Sequence, residues 1–396
     1  MLTYKKLNDF IGWGIFAVSL IVYMLTVEET ASFWDCGEFI AVSYKLEVPH
    51  PPGAPLFLLI GRLFSFLSLG NTEMVAYWVN MVSVLSTALA IMFLFWTITL
   101  LGHKVLKVKM GEETPAQKVW LLGGGIIGSL ACLFSDSIWF SATEAEVYGL
   151  SQFFTAFVFW AILKWENIQD EGAANRWLIL IAYTMGLSIG VHLLNLVTIP
   201  ALGLIYYFHK HEPTTRGVIT TLAISGALIL LILIGIIPGL PTIAGKIEVF
   251  SVNNIGLPFG SGFVIFGLIL VGGLVYGIRY SIQHKMPMLN TFLLGLTFIL
   301  IGYSSYSVVI IRSRYNPPID ENNPETFISF TSYLKREQYG SRPLVYGQYF
   351  TADLVAQEEG APIYEKGEEK YIITDYKLEN TYDPKKSTPF PRAYST

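Results

Sequence analysis

Asp35 and Glu38 stand three residues apart in the run Glu28-Glu29-Thr30-Ala31-Ser32-Phe33-Trp34-Asp35-Cys36-Gly37-Glu38-Phe39. On a helix that spacing puts both carboxylates on one face. Phe33, Trp34 and Phe39 flank them, and an aromatic setting that lowers the local dielectric raises a carboxylate's pKa. Such a group suits a general base or an acceptor-binding role. The competing account, a solvated acidic loop, applies best to Glu28 and Glu29. Next comes Pro49-His50-Pro51-Pro52-Gly53-Ala54-Pro55, a backbone stiffened by proline and freed once by glycine. It reads as a rigid turn, with His50 placed to hydrogen-bond a substrate or to orient Asp35.

Three further groups carry chemistry. In Ser141-Ala142-Thr143-Glu144-Ala145-Glu146-Val147-Tyr148, Glu144 and Tyr148 are four apart and would share a helical face; Glu146 lies between them. Substrate contact and N-terminal capping against the helix dipole are both open here. His192 and Asn195 fall inside an apolar stretch, where polar groups are expensive and have a reason; the alternative is a satisfied histidine linking two helices. Arg312 and Arg314 close the last apolar run. They either snorkel to the interface or clamp phosphate, which guanidinium binds bidentately.

The elements that must position these groups are membrane helices. Hydrophobic residues make up 53% of the 396 and charged residues 14%, too little polar surface to cover a water-soluble globule. Spans of roughly 20 apolar residues are expected at about nine places: 10–27, 75–101, 119–139, 147–165, 177–191, 195–208, 218–238, 261–281 and 288–311. The first reads as a retained span and not as a cleaved signal. The run 55–70 holds Arg62 and reads as an interfacial helix packed on the bundle. Residues 177–208 are two short crossings meeting at Gly190-Val191-His192, or a re-entrant pair. With residues 1–9 in the cytoplasm, that side collects twelve Lys and Arg against three outside (Lys45, Arg62 and Lys246) before the tail. The carboxylates, His50, His192 and Arg312 then converge on the outer face.

From about residue 312 the chain becomes polar, with a short strand-like run Tyr371–Thr374 and too few periodic apolar residues for a large core. It ends without a clear closing element, which leaves a longer chain or a partner chain to complete it. Two cysteines exclude a disulfide framework or a cysteine-rich metal site, and a net charge of -4 argues against a nucleic-acid partner. No Walker loop, HExxH or dinucleotide fingerprint appears. Paired carboxylates can hold a divalent ion, but nothing in the sequence demands one. An outer-facing enzyme without nucleotide binding draws its activated substrate from the lipid phase or from the acceptor.

TASFWDCGEFI, HPPGAPLFLLIGRLFSFL, SATEAEVYGL, GLSIGVHLLN and IRSRYNPPIDENNPE together resemble the protein O-mannosyltransferase-like membrane family, long listed as a domain of unknown function, within the GT-C glycosyltransferases. The resemblance covers about residues 10–340. It implies a GT-C bundle with an outer first loop. It also implies transfer of mannose from a polyprenyl-phosphate donor to Ser or Thr of an exported protein, with inversion. Asp35 would be the general base and Glu38 would position acceptor or sugar. Arg312, with His192 as the weaker candidate, would stabilise the departing phosphate. The better-known relatives carry adjacent Asp-Glu where this chain spaces them three apart, which leaves the division of labour between Asp35 and Glu38 open. The alternatives are a lipid or surface-polysaccharide acceptor, or a non-catalytic membrane subunit of an export or assembly machine. A transporter is disfavoured, because paired broken helices in two related halves are missing.

Overall fold

The computed structural model describes residues 3–340, 343 and 345–391. Its helices are α1 (Tyr4–Met24), α2 (Cys36–Lys45), α3 (Pro55–Ser65), α4 (Val75–Leu106), α5 (Pro115–Leu133), α6 (Asp136–Ala142), α7 (Val147–Glu166), α8 (Glu171–Ile189), α9 (Ile199–Lys210), α10 (Thr215–Leu230), α11 (Leu240–Asn253), α12 (Ser261–Gln283), α13 (Pro287–Tyr303), α14 (Ser307–Ser313) and α15 (Phe327–Leu334). Among the described residues, seven helical stretches are long and apolar enough to cross a membrane. The protein is polytopic and mainly helical. The other two expected spans form α8 and α9, joined by a 3-10 turn at Leu193–Thr198; neither meets that length and hydropathy.

The chain forms two compact units, Met1–Ile234 with Leu274–Glu325, and Gly235–Gly273 with Thr326–Thr396. In the first, α4 is the axis, with α1, α5 and α7 packed against it and α2 and α3 against its start. Hydrogen bonds mark its two ends. At the C-terminal end Lys104 pairs with Glu166, His103 Nε2 lies 3.0 Å from Glu113, and Trp96 Nε1 donates to the Asn8 carbonyl at 3.3 Å. At the N-terminal end Asn80 Nδ2 donates to the carbonyls of Glu28 (2.7 Å) and Thr30 (3.1 Å). There Ser83 Oγ also donates to the Glu146 carbonyl at 3.2 Å, and the Glu28 amide to that of Thr143 at 3.0 Å. The loops around 28–35 and 143–146 are thereby tied together at one end of the bundle, and the basic cluster of Lys104 lies at the other.

The interfacial helix expected at 55–70 is α3 followed by a 3-10 turn, Phe66–Ser68. It buries Phe57, Leu58 and Gly61 while Leu63 and Phe66 stay exposed, an amphipathic division. Its start is anchored by the Leu56 amide on the Gly190 carbonyl at 2.8 Å, so the proline turn and the 190 break are fixed together. That break is in turn held where α8 meets α13: a Cβ at Gly186 would lie 2.4 Å from the Ile299 carbonyl oxygen, and one at Gly302 2.4 Å from the Leu187 nitrogen. Only glycine allows the two backbones this close.

In the second unit a fully buried carboxylate, Glu248 of α11, accepts from the Gly260 amide (2.6 Å), the Gly262 amide (2.8 Å) and Tyr371 Oη (3.2 Å). The strand expected at 371–374 runs further: β3 (Tyr371–Tyr382) pairs antiparallel with β2 (Leu354–Lys366), with register shifts near Gly360 and Pro362. β1 (Tyr346–Gln348) pairs with β4 (Ser387–Pro389). The hairpin exposes most of both strands, so no apolar alternation announces it.

Candidate functional site

The site is built on the N-terminus of α2. Asp35 is the residue before the first turn, and its side chain caps no backbone amide. Glu38, in the first turn, takes the His50 amide on Oε1 (2.7 Å) and lies 2.7 Å from His50 Nδ1 through Oε2. Burial raises the Glu38 pKa, but these two hydrogen bonds and the imidazole charge outweigh it and hold the carboxyl below its ordinary value. An ionised Glu38 can only accept, so Nδ1 carries the proton and Nε2 turns outward. Nε2 is 3.8 Å from Asp35 Oδ2. That gap is too wide for a direct hydrogen bond.

The aromatic shelter expected around these carboxylates is not formed. Phe33 is 76% and Trp34 86% exposed, and the Asp35 side chain is 57% exposed. The loop is held by the Glu28 and Thr30 carbonyls on Asn80 and by the Ser32 hydroxyl on Glu144, contacts that do not use those rings. Phe39 alone packs inward, against Phe57 and the edge of His50. The buried carboxylates are Glu144 and Glu146, at 3% and 6% exposure. Ser32 donates to Glu144. Glu146 caps α7 through the Val147 amide at 3.3 Å. Burial, with the charges of Asp35 and Glu144 behind it, lifts Glu146 to about 7, against lowering by the Val147 amide and His50. Glu144 precedes α7, so it and Tyr148 do not share a helical face. The capping reading holds for Glu146, and its perturbed pKa is the feature that residue spacing alone did not reveal. Cys36, fully buried beneath the same cluster, has its thiol pushed up to about 12, first by burial, and is unreactive.

The other predicted residues fall into two places. Tyr148 is half exposed, and its ring meets His192 edge-on at 5.4 Å, so His192 borders the Glu146 side of the site. Its Nδ1 accepts from the Leu194 amide at 3.1 Å, and burial lowers its pKa. Asn195 is fully buried and bonds Ser188 Oγ at 3.0 Å, a link between α8 and the turn before α9. Arg312 instead binds the last carbonyls of α2, Leu46 at 2.5 Å and Lys45 at 3.3 Å. α2 has 10 residues, which puts Arg312 roughly 15 Å from Asp35. Arg314 donates to the Glu325 carbonyl at 3.1 Å.

Ligand atoms of Asp35, Glu38 and His50 lie within 4.8 Å of one another. A hard divalent ion is often held by only one or two carboxylates, with water and substrate phosphate completing its shell, so these three residues could hold one.

Fold and site together define a multi-pass membrane protein with a cluster of carboxylates and imidazoles at one end of its first helical unit. Residues 35–215 match the family described as protein O-mannosyl-transferase TMEM260 N-terminal domain, and residues 340–396 match a family of unknown function, DUF8416. The chain is 28% identical over 142 residues to protein O-mannosyl-transferase tmem260 of Dictyostelium discoideum, covering 36% of this chain and 15% of that protein. It is 28% identical over 176 residues to protein O-mannosyl-transferase TMEM260 of Mus musculus, covering 44% of this chain and 22% of the mouse protein. The resemblance read from the sequence to a protein O-mannosyltransferase-like family therefore holds over this segment, while the match spans under a quarter of either relative. No solved structure matches.

Proposed function

We propose that the chain transfers mannose from a polyprenyl-phosphate donor to a Ser or Thr hydroxyl of an exported protein, as a GT-C-type inverting transferase. The observation that carries this reading is the position of the match: it begins at Asp35 and contains every group of the cluster, His50, Glu144, Glu146, Tyr148 and His192 included. The acceptor hydroxyl donates its hydrogen bond to Asp35 Oδ2. Asp35 takes its proton as the oxygen attacks the anomeric carbon, the carbon–oxygen bond to the lipid phosphate breaks, and the electron pair leaves with the phosphate. Glu38 keeps His50 in the Nδ1-protonated tautomer.

The anomeric carbon and its phosphate share one oxygen, so the phosphate lies within a few ångströms of Asp35. This assigns its stabilisation to His192, whose Nδ1 accepts the Leu194 amide so that Nε2 carries the donating proton, and gives Arg312 the structural task of capping α2. The excess of Lys and Arg at the Lys104 end supports an outward-facing cluster with the N-terminus in the cytoplasm and the tail outside.

Mass spectrometry of exported proteins from cells with and without the chain tests the reading. Loss of a hexose on Ser or Thr is the expected result. An unchanged protein glycan profile would overturn the protein acceptor and turn attention to lipid or polysaccharide acceptors, and then to a non-catalytic subunit.

A further inference from the structure

The second unit holds a cavity of about 640 Å³ between α11, α15 and β2. That is within the size range of small-molecule sites and would take roughly twenty water volumes. Its apolar walls include Val249 and Phe250 of α11, Ile328 of α15 and Ile363 of β2. Three lysines line it, Lys246, Lys335 and Lys377, against one carboxylate, Glu337. Lys377 is committed to Glu337 at 2.6 Å. Among the described residues neither Lys246 nor Lys335 forms an ion pair. Lys335 also faces the Glu337 charge, so the cavity joins an apolar interior to a net surplus of two positive charges, three lysines against one carboxylate.

Its place in the chain identifies which kind of molecule has that shape. α11 ends a continuous helical stretch of 39 residues, Thr215–Asn253. It is not one straight rod: a π-helical segment with Pro238 inside, Leu231–Gly239, separates its apolar run from α11, and the next apolar helix, α12, begins at Ser261. α11 is the polar piece of chain between these two apolar runs, as expected of a segment at the headgroup layer, and it carries Lys246, Glu248 and Asn253. The buried Glu248, bonded to the Tyr371 hydroxyl, and the Asn253 side chain, paired with the Tyr371 amide (2.9 Å) and carbonyl (2.8 Å), fix α11 to the start of β3.

From these observations we infer that the cavity between α11, α15 and β2 binds a phosphate-headed lipid, the phosphate on Lys246 and Lys335 and the upper hydrocarbon chain on Val249, Phe250, Ile328 and Ile363. This assignment is independent of the transferase reading, since it involves none of the residues of the cluster around Asp35.

Native mass spectrometry of the full chain in detergent tests it, with dioleoyl phosphatidic acid, dioleoyl phosphatidylcholine and inorganic phosphate as probes. Phosphatidic acid should be retained at least tenfold better than phosphatidylcholine and should not be displaced by equimolar phosphate. The Lys246→Gln/Lys335→Gln protein, altered only at exposed side chains, should lose at least tenfold of that retention. Gly245→Leu keeps both lysines and fills the cavity: a Cβ there meets Ile328 at an ordinary 3.6 Å, and the rest of the side chain takes the lipid's space. It should lose retention to the same degree. Equal retention of the two lipids, displacement by phosphate alone, or full binding by Gly245→Leu would each overturn the inference.

Discussion

Glu38 holds His50 twice, by the backbone amide and by Nδ1, each at 2.7 Å. One carboxylate thus sets both the path of the proline turn and the tautomer of the ring, and it aims Nε2 at Asp35. The same arrangement explains why Glu38 and Asp35 have different tasks although both precede or begin one helix. Glu38 faces the turn and is three-quarters buried, while Asp35 faces solvent.

Glu38→Gln should lower mannosyl transfer by about 10²-fold or more, because a neutral amide can pair with either tautomer of His50. Acceptor binding should change little. Glu38 titrates below its ordinary 4.5 in the folded protein, so its contribution to stability is complete above that value and is lost as pH falls through the lowered one. Initial rates from pH 5 to 9, where the wild-type carboxylate stays ionised, check the prediction. A variant with wild-type rates across that range would remove Glu38 from the mechanism.

Glu146→Gln should stabilise the protein at alkaline pH. The folded carboxyl titrates near 7 against 4.5 in an unfolded chain. Keeping the proton therefore favours the fold fully below about 4.5, and the advantage drains away as pH rises towards 7. Gln keeps the neutral form and the acceptor for the Val147 amide. Thermal melts should show the variant above wild type by on the order of 1–2 kcal/mol at pH 8 and level with it at pH 4.5. A difference independent of pH would mean that Glu146 is not the titrating group.

Arg312→Ala should cost about 1–3 kcal/mol, since it orphans the last carbonyls of α2 and removes a cation from a helix C-terminus. Donor affinity should be unchanged in the protein that remains folded. Intact stability with lost donor binding would instead return Arg312 to the phosphate.

Glu248→Ala should loosen the second unit alone, because it strands the Gly260 and Gly262 amides and the Tyr371 hydroxyl. Limited proteolysis should then cut in 354–382 at least several-fold faster, with the first unit's fragments unaltered. Unchanged cleavage would show that the hairpin is held elsewhere.

The membrane helices were legible in the sequence because burial in lipid demands long apolar runs, and α4 or α12 can satisfy that demand in no other way. The break at 190 was legible from His192 and the short flanking runs, and the α3 helix from its single arginine and its proline start. The hairpin was not: a two-stranded ribbon exposed on both faces leaves no alternation, and Gly360 and Pro362 inside β2 read as loop. In the cluster, residue types and spacing singled out Asp35, Glu38 and His50. They could not show that Phe33 and Trp34 face away, that Glu146 takes the burial expected of Asp35, or that Arg312 binds the last carbonyls of α2. Those outcomes depend on contacts between segments more than a hundred residues apart, such as Ser32 with Glu144 and Arg312 with Leu46.

The most direct measurement compares purified wild-type and Asp35→Asn protein for mannose transfer from polyprenyl-phosphate-mannose to a Ser/Thr peptide, with donor binding and thermal stability followed in parallel. With Asp35 as the base, transfer falls by about 10²–10⁴-fold while donor binding and stability stay at wild-type levels. Wild-type turnover in Asp35→Asn would contradict the assignment and take the reaction away from this cluster.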